Sequence, residues 1–253
     1  MKEYEQISEE YRSRSEQRMI NNMLQSFEES VTATMEWLET DEAKQYFQNR
    51  QYLLSRFLEE SGLEDEWTRI INERANKGVD ITDEIYKYVR NLNHEGSDLV
   101  HFTPNETRVF NRLCDYNYGL IKNVCTDEIK LIREKLIDDY AKGRNPLQSS
   151  LSELQLEPIN GLSPEARVEM IARTETARAI NTGNLETYRS DGVEYVELMA
   201  APDCCDDCLE IAMDTMKEPV PVGEALDEPC IHPNCRCTWV PAINRETGTY
   251  ITP

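Results

Sequence analysis

The chain has 253 residues, of which 48 are acidic, 27 are basic and three are histidines, so its formal net charge at pH 7 is −21. Proteins bind a phosphate backbone through clustered lysines and arginines, and this charge therefore argues against general association with nucleic acid or with an anionic membrane. The N-terminal residues are polar and charged and no long apolar run occurs, so we expect neither a signal peptide nor a membrane span. In the reducing cytoplasm that this implies, clustered cysteines bind metal more often than they form disulfides.

The first 145 residues are predicted to be almost entirely helical. A first long helix carries apolar residues at three- and four-residue steps, which is typical of an amphipathic helix. We interpret this stripe as the core of a helical bundle, and an intermolecular coiled coil is the alternative. The stripe consists of Ile20, Met23, Leu24, Phe27, Val31, Met35 and Leu38.

Glycines and caps predict where the next helices begin and end. A second helical segment covers Tyr46 to Leu58, and Gly62 follows where a left-handed C-terminal cap belongs. A third helix around Trp67 is predicted to end near Gly78, and Thr82 to begin a short fourth helix.

Two further helix starts are predicted before residue 145. The segment "TPNE" at 103–106 has capping-box spacing and a proline in the first turn, which both favour a helix N-terminus. Another helix is predicted to open at Thr126 and to stop by Gly143. Cys114 and Cys125 fall in this helical region, where we expect them to be small buried apolar residues.

Composition divides the chain into a helical, partner-binding region (1–145), a linker (146–163) rich in Gly, Pro, Ser and Asn, and a mixed C-terminal domain (164–253). Ser163-Pro164 is predicted to start a helix that runs to about Arg189. Residues 193–199 alternate between apolar and polar, which predicts a strand, and "CTWV" at 237–240 is a second candidate strand. The fold class is therefore predicted as α+β.

Six of the eight cysteines and one of the three histidines lie within 204–237. A structural zinc site takes four ligands, usually as two close pairs on tight turns. Cys-x-x-Cys at 205–208 and His-x-x-Cys at 232–235 provide such pairs, with Pro233-Asn234 as turn residues in the second. We therefore predict a structural zinc ion held by Cys205, Cys208, His232 and Cys235, with Cys237 as the alternate ligand and Cys230 as a further nearby thiol.

The cluster has two alternative interpretations, namely disulfides and a catalytic zinc site. Disulfides would suit a protein outside the cell, but a bond between the neighbours Cys204 and Cys205 would be strained. A catalytic zinc of the deaminase type would need glutamate two residues after the first ligand. His232 is instead followed by Pro233 and Asn234, so a closed structural site is favoured.

The segment "EMIARTETARAINTGN" at 169–184 is an apolar helix that carries Arg173, Thr174 and Glu175. A buried arginine is tolerated only when it is paired, and Glu169 and Glu175 are the candidate partners. We interpret the three residues as a structural polar network that locks this helix to the cysteine-bearing segment.

The motifs "IARTETARAINTGN", "DCCDDC" and "HPNCRC" together resemble the bacteriophage head morphogenesis family, the minor capsid proteins similar to protein F of phage Mu. The resemblance covers about 164–241, and the closing motif is its most specific part. Arg173, Thr174 and Glu175 match the family's R-T-E, and the cysteines and the histidine match its metal-like positions. This chain departs from the family pattern in the doubled Cys204-Cys205 and in "PCI" at 229–231.

The resemblance implies a structural protein rather than an enzyme. Its expected partners are the phage portal protein and other head proteins, with no membrane and no small-molecule substrate. It would be assembled in the host cytoplasm, lie inside the virion near the portal, and act in head assembly and DNA ejection. A contact with packaged double-stranded DNA is conceivable but is not supported by the charge.

Two alternative functions follow from the same residues. A zinc-knuckle nucleic-acid-binding protein should carry basic and aromatic residues around its ligands, whereas 203–228 contains one lysine and nine acidic residues. An ADP-ribosyltransferase-like enzyme would need a catalytic E-x-E loop, and 190–253 contains none. Both are therefore disfavoured relative to a structural role.

Overall fold

The structure is a computed structural model that describes residues 6–49, 54–92, 103–144, 163–227, 229–244 and 246–251. Within these ranges the chain forms eight helices and three strands, which confirms the predicted α+β class. The same residues include no helix with the length and apolar character needed to cross a bilayer. The elements in chain order are α1 (Glu9–Leu38), α2 (Asp41–Asn49), α3 (Leu54–Glu60), α4 (Leu63–Leu92), α5 (Pro104–Ala141), α6 (Pro164–Ser190), β1 (Tyr195–Met199), α7 (Asp206–Lys217), β2 (Val220–Pro221), α8 (Val222–Asp227) and β3 (Thr238–Pro241).

Contacts group the chain into two compact units that do not follow the sequence order. The sheet unit comprises Met1–Met19, Asp80–Asp115 and Glu169–Pro253, and the helical unit comprises Ile20–Val79 and Tyr116–Val168. The boundaries predicted from composition run along the chain instead. The two divisions differ because the long helices contribute residues to both units, and sequence composition carries no sign of that. The predicted linker falls, except for Ser163, outside the described residues.

The helical unit is built around one aromatic-rich core. The predicted stripe of α1 contributes to this core within the chain, with Leu38 buried and Phe27, Val31 and Met35 packed against it, so the bundle-core interpretation is confirmed. Cys125 is fully buried in this unit, as expected for a small apolar side chain. The buried residues of the core are Trp37, Leu38, Ala43, Tyr46, Leu54, Phe57, Leu58, Leu63, Trp67, Ile129, Ile132 and Leu136.

The predicted break at Gly78 is wrong, because α4 continues without interruption from Leu63 to Leu92. A Cβ atom at Gly78 would lie 1.9 Å from Cδ1 of Ile121, so the glycine permits a close approach of α5 rather than a helix end. Thr82 is accordingly buried within the helix and does not cap it.

The predicted start at Thr126 is also wrong, since α5 is a single helix from Pro104 to Ala141. The Thr126 hydroxyl donates to the carbonyl oxygen of Lys122, which satisfies it inside the helix. The capping box is confirmed: the Thr103 amide donates to Glu106 Oε2 at 2.7 Å, and the Glu106 amide donates to Thr103 Oγ1 at 3.3 Å. Gly62 adopts the positive φ of a C-terminal cap, as predicted, and Gly143, where the helix was predicted to stop, has a positive φ as well.

The sheet unit contains a small antiparallel sheet with strand order β2-β1-β3. β1 pairs with β3 over Val196 to Met199, so the two predicted strands are confirmed as neighbours. Sequence reasoning did not predict α7, α8 or β2. The core of this unit combines apolar residues with three of the clustered cysteines, Cys208, Cys235 and Cys237.

A buried ion pair joins three helices within the sheet unit. The Arg90 guanidinium pairs with the Glu106 carboxylate, and both side chains are 3% exposed. Arg90 also donates to Thr187 Oγ1, and the Ser190 hydroxyl donates to Glu106. These bonds pair the two charges, although Nε of Arg90 has no hydrogen-bond partner within the described parts of the chain, and they connect α6 to the ends of α4 and α5 in this unit.

Candidate metal centre

The first pair of thiols lies at the start of α7. Cys205 is the N-cap of this helix, in extended backbone conformation, and its Sγ accepts a hydrogen bond from the Cys208 amide at 3.4 Å. Cys208 occupies the first turn and is buried. The Cys-x-x-Cys spacing thus places both sulfurs at one helix end, where free amides favour negative charge.

The second pair lies on the loop that precedes β3. The Cys235 amide donates to the His232 carbonyl oxygen at 3.3 Å, which closes the turn predicted at Pro233-Asn234. Asn234 has φ +67°, the left-handed conformation that asparagine tolerates better than most residues. This turn directs the His232 ring and the Cys235 thiol toward α7.

The two pairs converge on Cys208. Nε2 of His232 lies 3.2 Å from Cys205 Sγ and 3.1 Å from Cys208 Sγ, and the sulfurs of Cys208 and Cys235 are 3.7 Å apart. Ligands at ordinary zinc bond lengths on a tetrahedron are separated by about 3.8 Å between two sulfurs and about 3.6 Å between sulfur and nitrogen. These three spacings are within about 0.5 Å of those between ligands of one ion, although the four predicted ligands are not all within 4.8 Å of one another.

The donors form two triads rather than one set of four. Cys205, Cys208 and His232 have all ligand atoms within 4.8 Å of one another, and so do Cys208, Cys235 and Cys237. The predicted ligand Cys235 thus shares a triad with the alternate ligand Cys237, and Cys208 belongs to both. All eight cysteines are free of disulfides, Cys114 is half-buried, and Cys204 belongs to neither triad.

The orientation of the His232 ring is fixed by its own loop. Nδ1 lies 2.7 Å from the Pro233 carbonyl oxygen, and because a carbonyl only accepts, Nδ1 must donate this bond. In the neutral ring, Nε2 then carries the lone pair that faces Cys205 and Cys208. Metal-binding histidines are held in this way by a backbone carbonyl on the other nitrogen.

The pKa values of the clustered thiols are shifted in opposite directions. Hydrogen bonds from the Cys230 and Cys237 thiols lower the pKa of Cys235, whereas burial raises the pKa of Cys208 to about 12. The backbone amide of Cys208 lowers the pKa of Cys205, and the Pro233 carbonyl raises the pKa of His232. A bound cation would displace the remaining thiol protons, so metal affinity should depend on pH.

Helix α6 supports the turn of the second pair. The Asn234 amide donates to Thr174 Oγ1 at 2.7 Å, and Arg173 Nη1 donates to Asn234 Oδ1 at 3.4 Å. Arg173 also pairs with Glu169, one of its two predicted partners, but its side chain is 32% exposed and so is less buried than expected. The hydrogen bonds connect the "RTE" segment directly to the "HPNC" turn.

Glu175 takes a different position from its two neighbours. It pairs with Arg178 at 3.1 Å instead of Arg173, and burial raises its pKa to about 7. The structure therefore brings two members of the predicted polar network, Arg173 and Thr174, to the turn, and directs the third to a separate ion pair on α6.

Two supporting residues were missed by sequence reasoning. The buried Asn181 donates to the carbonyl oxygens of Pro229 and Cys237 at 2.8 and 3.0 Å, which holds both ends of the cysteine-bearing loop. Arg12 of α1 donates to the Arg236 carbonyl oxygen at 2.9 Å, and Arg236 pairs with Glu16 at 3.0 Å. These contacts cross 48 or more positions of sequence, and neither residue type predicts them.

The cluster as a whole brings cysteine and histidine donors close enough together to hold a metal ion. A cavity of about 190 Å³ opens at these residues, so that the donors are reachable from solvent. Comparison of the chain with protein-family models, with curated proteins and with solved structures finds no match.

Proposed function

We propose that this chain is a structural minor protein of a bacteriophage head, associated with the portal, whose sheet unit is stabilised by zinc. The observation that carries the proposal is the contact between the two halves of the motif that resembles the head morphogenesis family. Thr174 and Asn234 are 60 positions apart and are joined by a hydrogen bond of 2.7 Å. Such a contact gives both motifs a common role, which is to hold the metal-binding turn.

Zinc is the metal that best fits the donors. Thiolates with an imidazole select zinc over magnesium, calcium or manganese, which prefer oxygen ligands. We assign the ion to Cys205, Cys208, His232 and Cys235, with Cys237 as the alternate ligand. When bound, the ion supplies folding energy to the sheet unit, because a preformed site does not exist in the unfolded chain.

The surroundings of the cluster favour a structural role over nucleic-acid binding or catalysis. Cys208, Cys235 and Cys237 are 1–3% exposed and belong to the hydrophobic core of the sheet unit, which is typical of structural metal ligands. The exposed residues beside the first pair include Asp203, Asp206 and Asp207. Their carboxylates would repel a phosphate backbone.

Helix α7 provides the surface that we assign to the partner. The stripe of α1 is used in the core of the helical unit, but α7 exposes Leu209, Met213 and Met216, each 45–48% accessible, at three- and four-residue steps. A contiguous apolar stripe on a surface helix is typical of a protein-binding face. In the proposed function this stripe contacts the portal or another head protein.

Mass spectrometry of particles purified from phage-producing cells that encode the chain tests the proposal. We expect a few copies of the chain per particle together with the portal protein, and fewer when Met213 is replaced by glutamate. Ile137→Glu is the matched control, because Ile137 is similarly exposed (43%) but lies on α5. A chain that is abundant in the lysate but absent from particles and from portal-containing intermediates would refute the proposed function.

A further inference from the structure

We propose that the cysteine cluster binds two divalent metal ions that share the thiolate of Cys208. This inference rests on the metal site of the proposed function and replaces its single ion by two, with Cys235 assigned to the second ion. The observation that carries it is the division of the donors into two triads with a single common member, Cys208. A single tetrahedral ion would instead gather its four ligands into one set.

The outer ion is held by Cys205, Cys208 and His232. The sulfurs of Cys205 and Cys208 lie 3.2 and 3.1 Å from Nε2 of His232. Cys205 is exposed, which places this ion at the surface of the sheet unit. Its fourth position is left for water.

The inner ion is held by Cys208, Cys235 and Cys237, which are all buried. Cys230 lies outside this triad, but its Sγ donates to the His232 carbonyl oxygen at 3.5 Å, so the loop brings a further thiol to the same cluster. We assign Cys230 as the fourth ligand of the inner ion.

The number of donors also favours two ions. The cluster offers five thiols and one imidazole, and a single four-coordinate ion leaves two of these groups unused among buried residues. Two ions that share Cys208 use more of these groups than a single ion does.

The chemistry of the donors restricts the ions to the thiophilic divalent class. Thiolates bind zinc and its analogue cadmium in tetrahedral geometry, and they bridge such ions readily because sulfur has further lone pairs. The second ion would be taken up with release of the protons that the buried thiols otherwise retain. The number of protons released per bound ion is therefore a second measurement that reports on the inner site.

The experiment is metal titration of the full chain under anaerobic, reducing conditions with Zn²⁺ and with ¹¹³Cd²⁺. Native mass spectrometry is expected to show two ions per chain. Cadmium NMR is expected to show two resonances split by coupling through the shared sulfur. One ion per chain would overturn the inference, and two uncoupled resonances would overturn the shared thiolate.

Variants separate the two sites. Cys230→Ser and Cys237→Ser should each reduce the content from two ions to one, Cys208→Ser should abolish the pair of coupled resonances, and Cys204→Ser is the matched control that should retain both ions. If a variant fails to fold, the stoichiometry of the unaltered chain still decides the question. A single bound ion would overturn the two-ion inference but not the proposed function. Absence of the chain from particles would refute the proposed function but would not change the number of ions bound.

Discussion

Thr174 connects the metal-binding turn to α6 through one side-chain oxygen. Its hydroxyl accepts from the Asn234 amide and donates to the Met170 carbonyl oxygen, so both of its functions are used. Residues that support metal ligands without touching the ion typically change metal affinity by about 10- to 100-fold when they are replaced. Replacing this hydroxyl by a methyl group, as in Thr174→Val, therefore tests the link between the two motifs.

We expect Thr174→Val to weaken zinc binding by about tenfold, because the turn that carries His232 and Cys235 loses its anchor. Competition with a chromophoric chelator measures the affinity. Thr176→Val is the control, since Thr176 is buried on the same helix and its hydroxyl has no partner among the described residues. Equal affinities for the two variants would show that the Thr174 bond does not support the site.

Glu128 is a buried carboxyl group in the helical unit. Burial raises its pKa to about 8, with Asp127 adding to the shift and Ser26 and Arg167 opposing it. The folded state therefore retains a proton that the unfolded state, with a pKa near the ordinary value of 4.5, releases. The stabilising contribution of this protonation is complete below that value and is lost as the pH rises to about 8.

Replacement of Glu128 by glutamine should remove this loss, because the amide stays neutral at every pH. The free energy of unfolding of the unaltered chain should fall relative to that of the variant by up to about 1.4 kcal/mol per pH unit across this window. Urea denaturation between pH 5 and pH 8 measures the difference on samples matched for metal content. A difference that does not change with pH would show that Glu128 is ionised in the folded state.

At the scale of the elements, two glycines inside helices differ in the space around them: Gly183 is crowded and Gly119 is open. A Cβ atom at Gly183 of α6 would lie 2.9 Å from Cγ1 and 3.0 Å from Cβ of the buried Val89, whose branched side chain cannot easily move. At Gly119 of α5 the same atom would meet nothing within 4 Å. Helix propensity favours alanine at both positions by about 1 kcal/mol.

Gly183→Ala should therefore destabilise the protein by about 1–3 kcal/mol, because overpacking against Val89 exceeds the gain in propensity. Gly119→Ala should instead stabilise it by about 0.5–1 kcal/mol. Thermal and urea denaturation of both variants provide the comparison. A stabilised Gly183→Ala variant would indicate that α6 does not approach the Val89 segment this closely.

The elements that were predicted well are those with local signals. The capping box at Thr103 and Glu106, the terminal Gly62 and Gly143, and the alternating strand β1 each depend on neighbours a few residues away. Gly78 and Thr126 are typical of helix ends by the same local rules, yet both lie inside long helices. Gly78 allows the close approach of Ile121 from a distant helix, which is not visible in local sequence, whereas the Thr126 hydroxyl donates to the Lys122 carbonyl oxygen instead of capping a new helix.

The candidate site shows the same division. Cysteine spacing identified the donors, and the polar residues Arg173, Thr174 and Glu175 in an apolar helix predicted a link from α6 to the cysteine-bearing segment, but neither revealed that the donors form two triads. Asn181 and Arg12 were missed because their partners are backbone atoms far along the chain. Helix α7 was not predicted because Cys-x-x-Cys at 205–208 indicated a metal-binding turn. In the structure Cys205 is instead the N-cap of this helix, with Asp206 and Asp207 in its first turn.

At the scale of the whole molecule, metal removal should affect the two units unequally. The cysteines belong to the core of the sheet unit, whereas the helical unit has its own core without them. Because metal-binding energy is folding energy, chelation should loosen α7 and the loop before β3. The backbone amides of α2 and α3, which belong to the helical unit, should remain protected from hydrogen exchange.

Hydrogen exchange followed by mass spectrometry, with and without a chelator, measures this difference. Faster exchange is expected for peptides that cover 203–239, and unchanged exchange for peptides that cover 54–76. Uniform acceleration in both regions would contradict independent stabilisation of the two cores. No change at α7 would show that the helix persists without metal.

The brace that α1 gives to the cysteine loop also has a consequence for biosynthesis. Arg12 and Glu16 contact Arg236, more than 200 positions later in the chain. During translation the N-terminal helix emerges more than 200 residues before its partner Arg236. In the proposed function, capture of the ion therefore comes late in synthesis, and cells starved of zinc should accumulate immature chains rather than truncated ones.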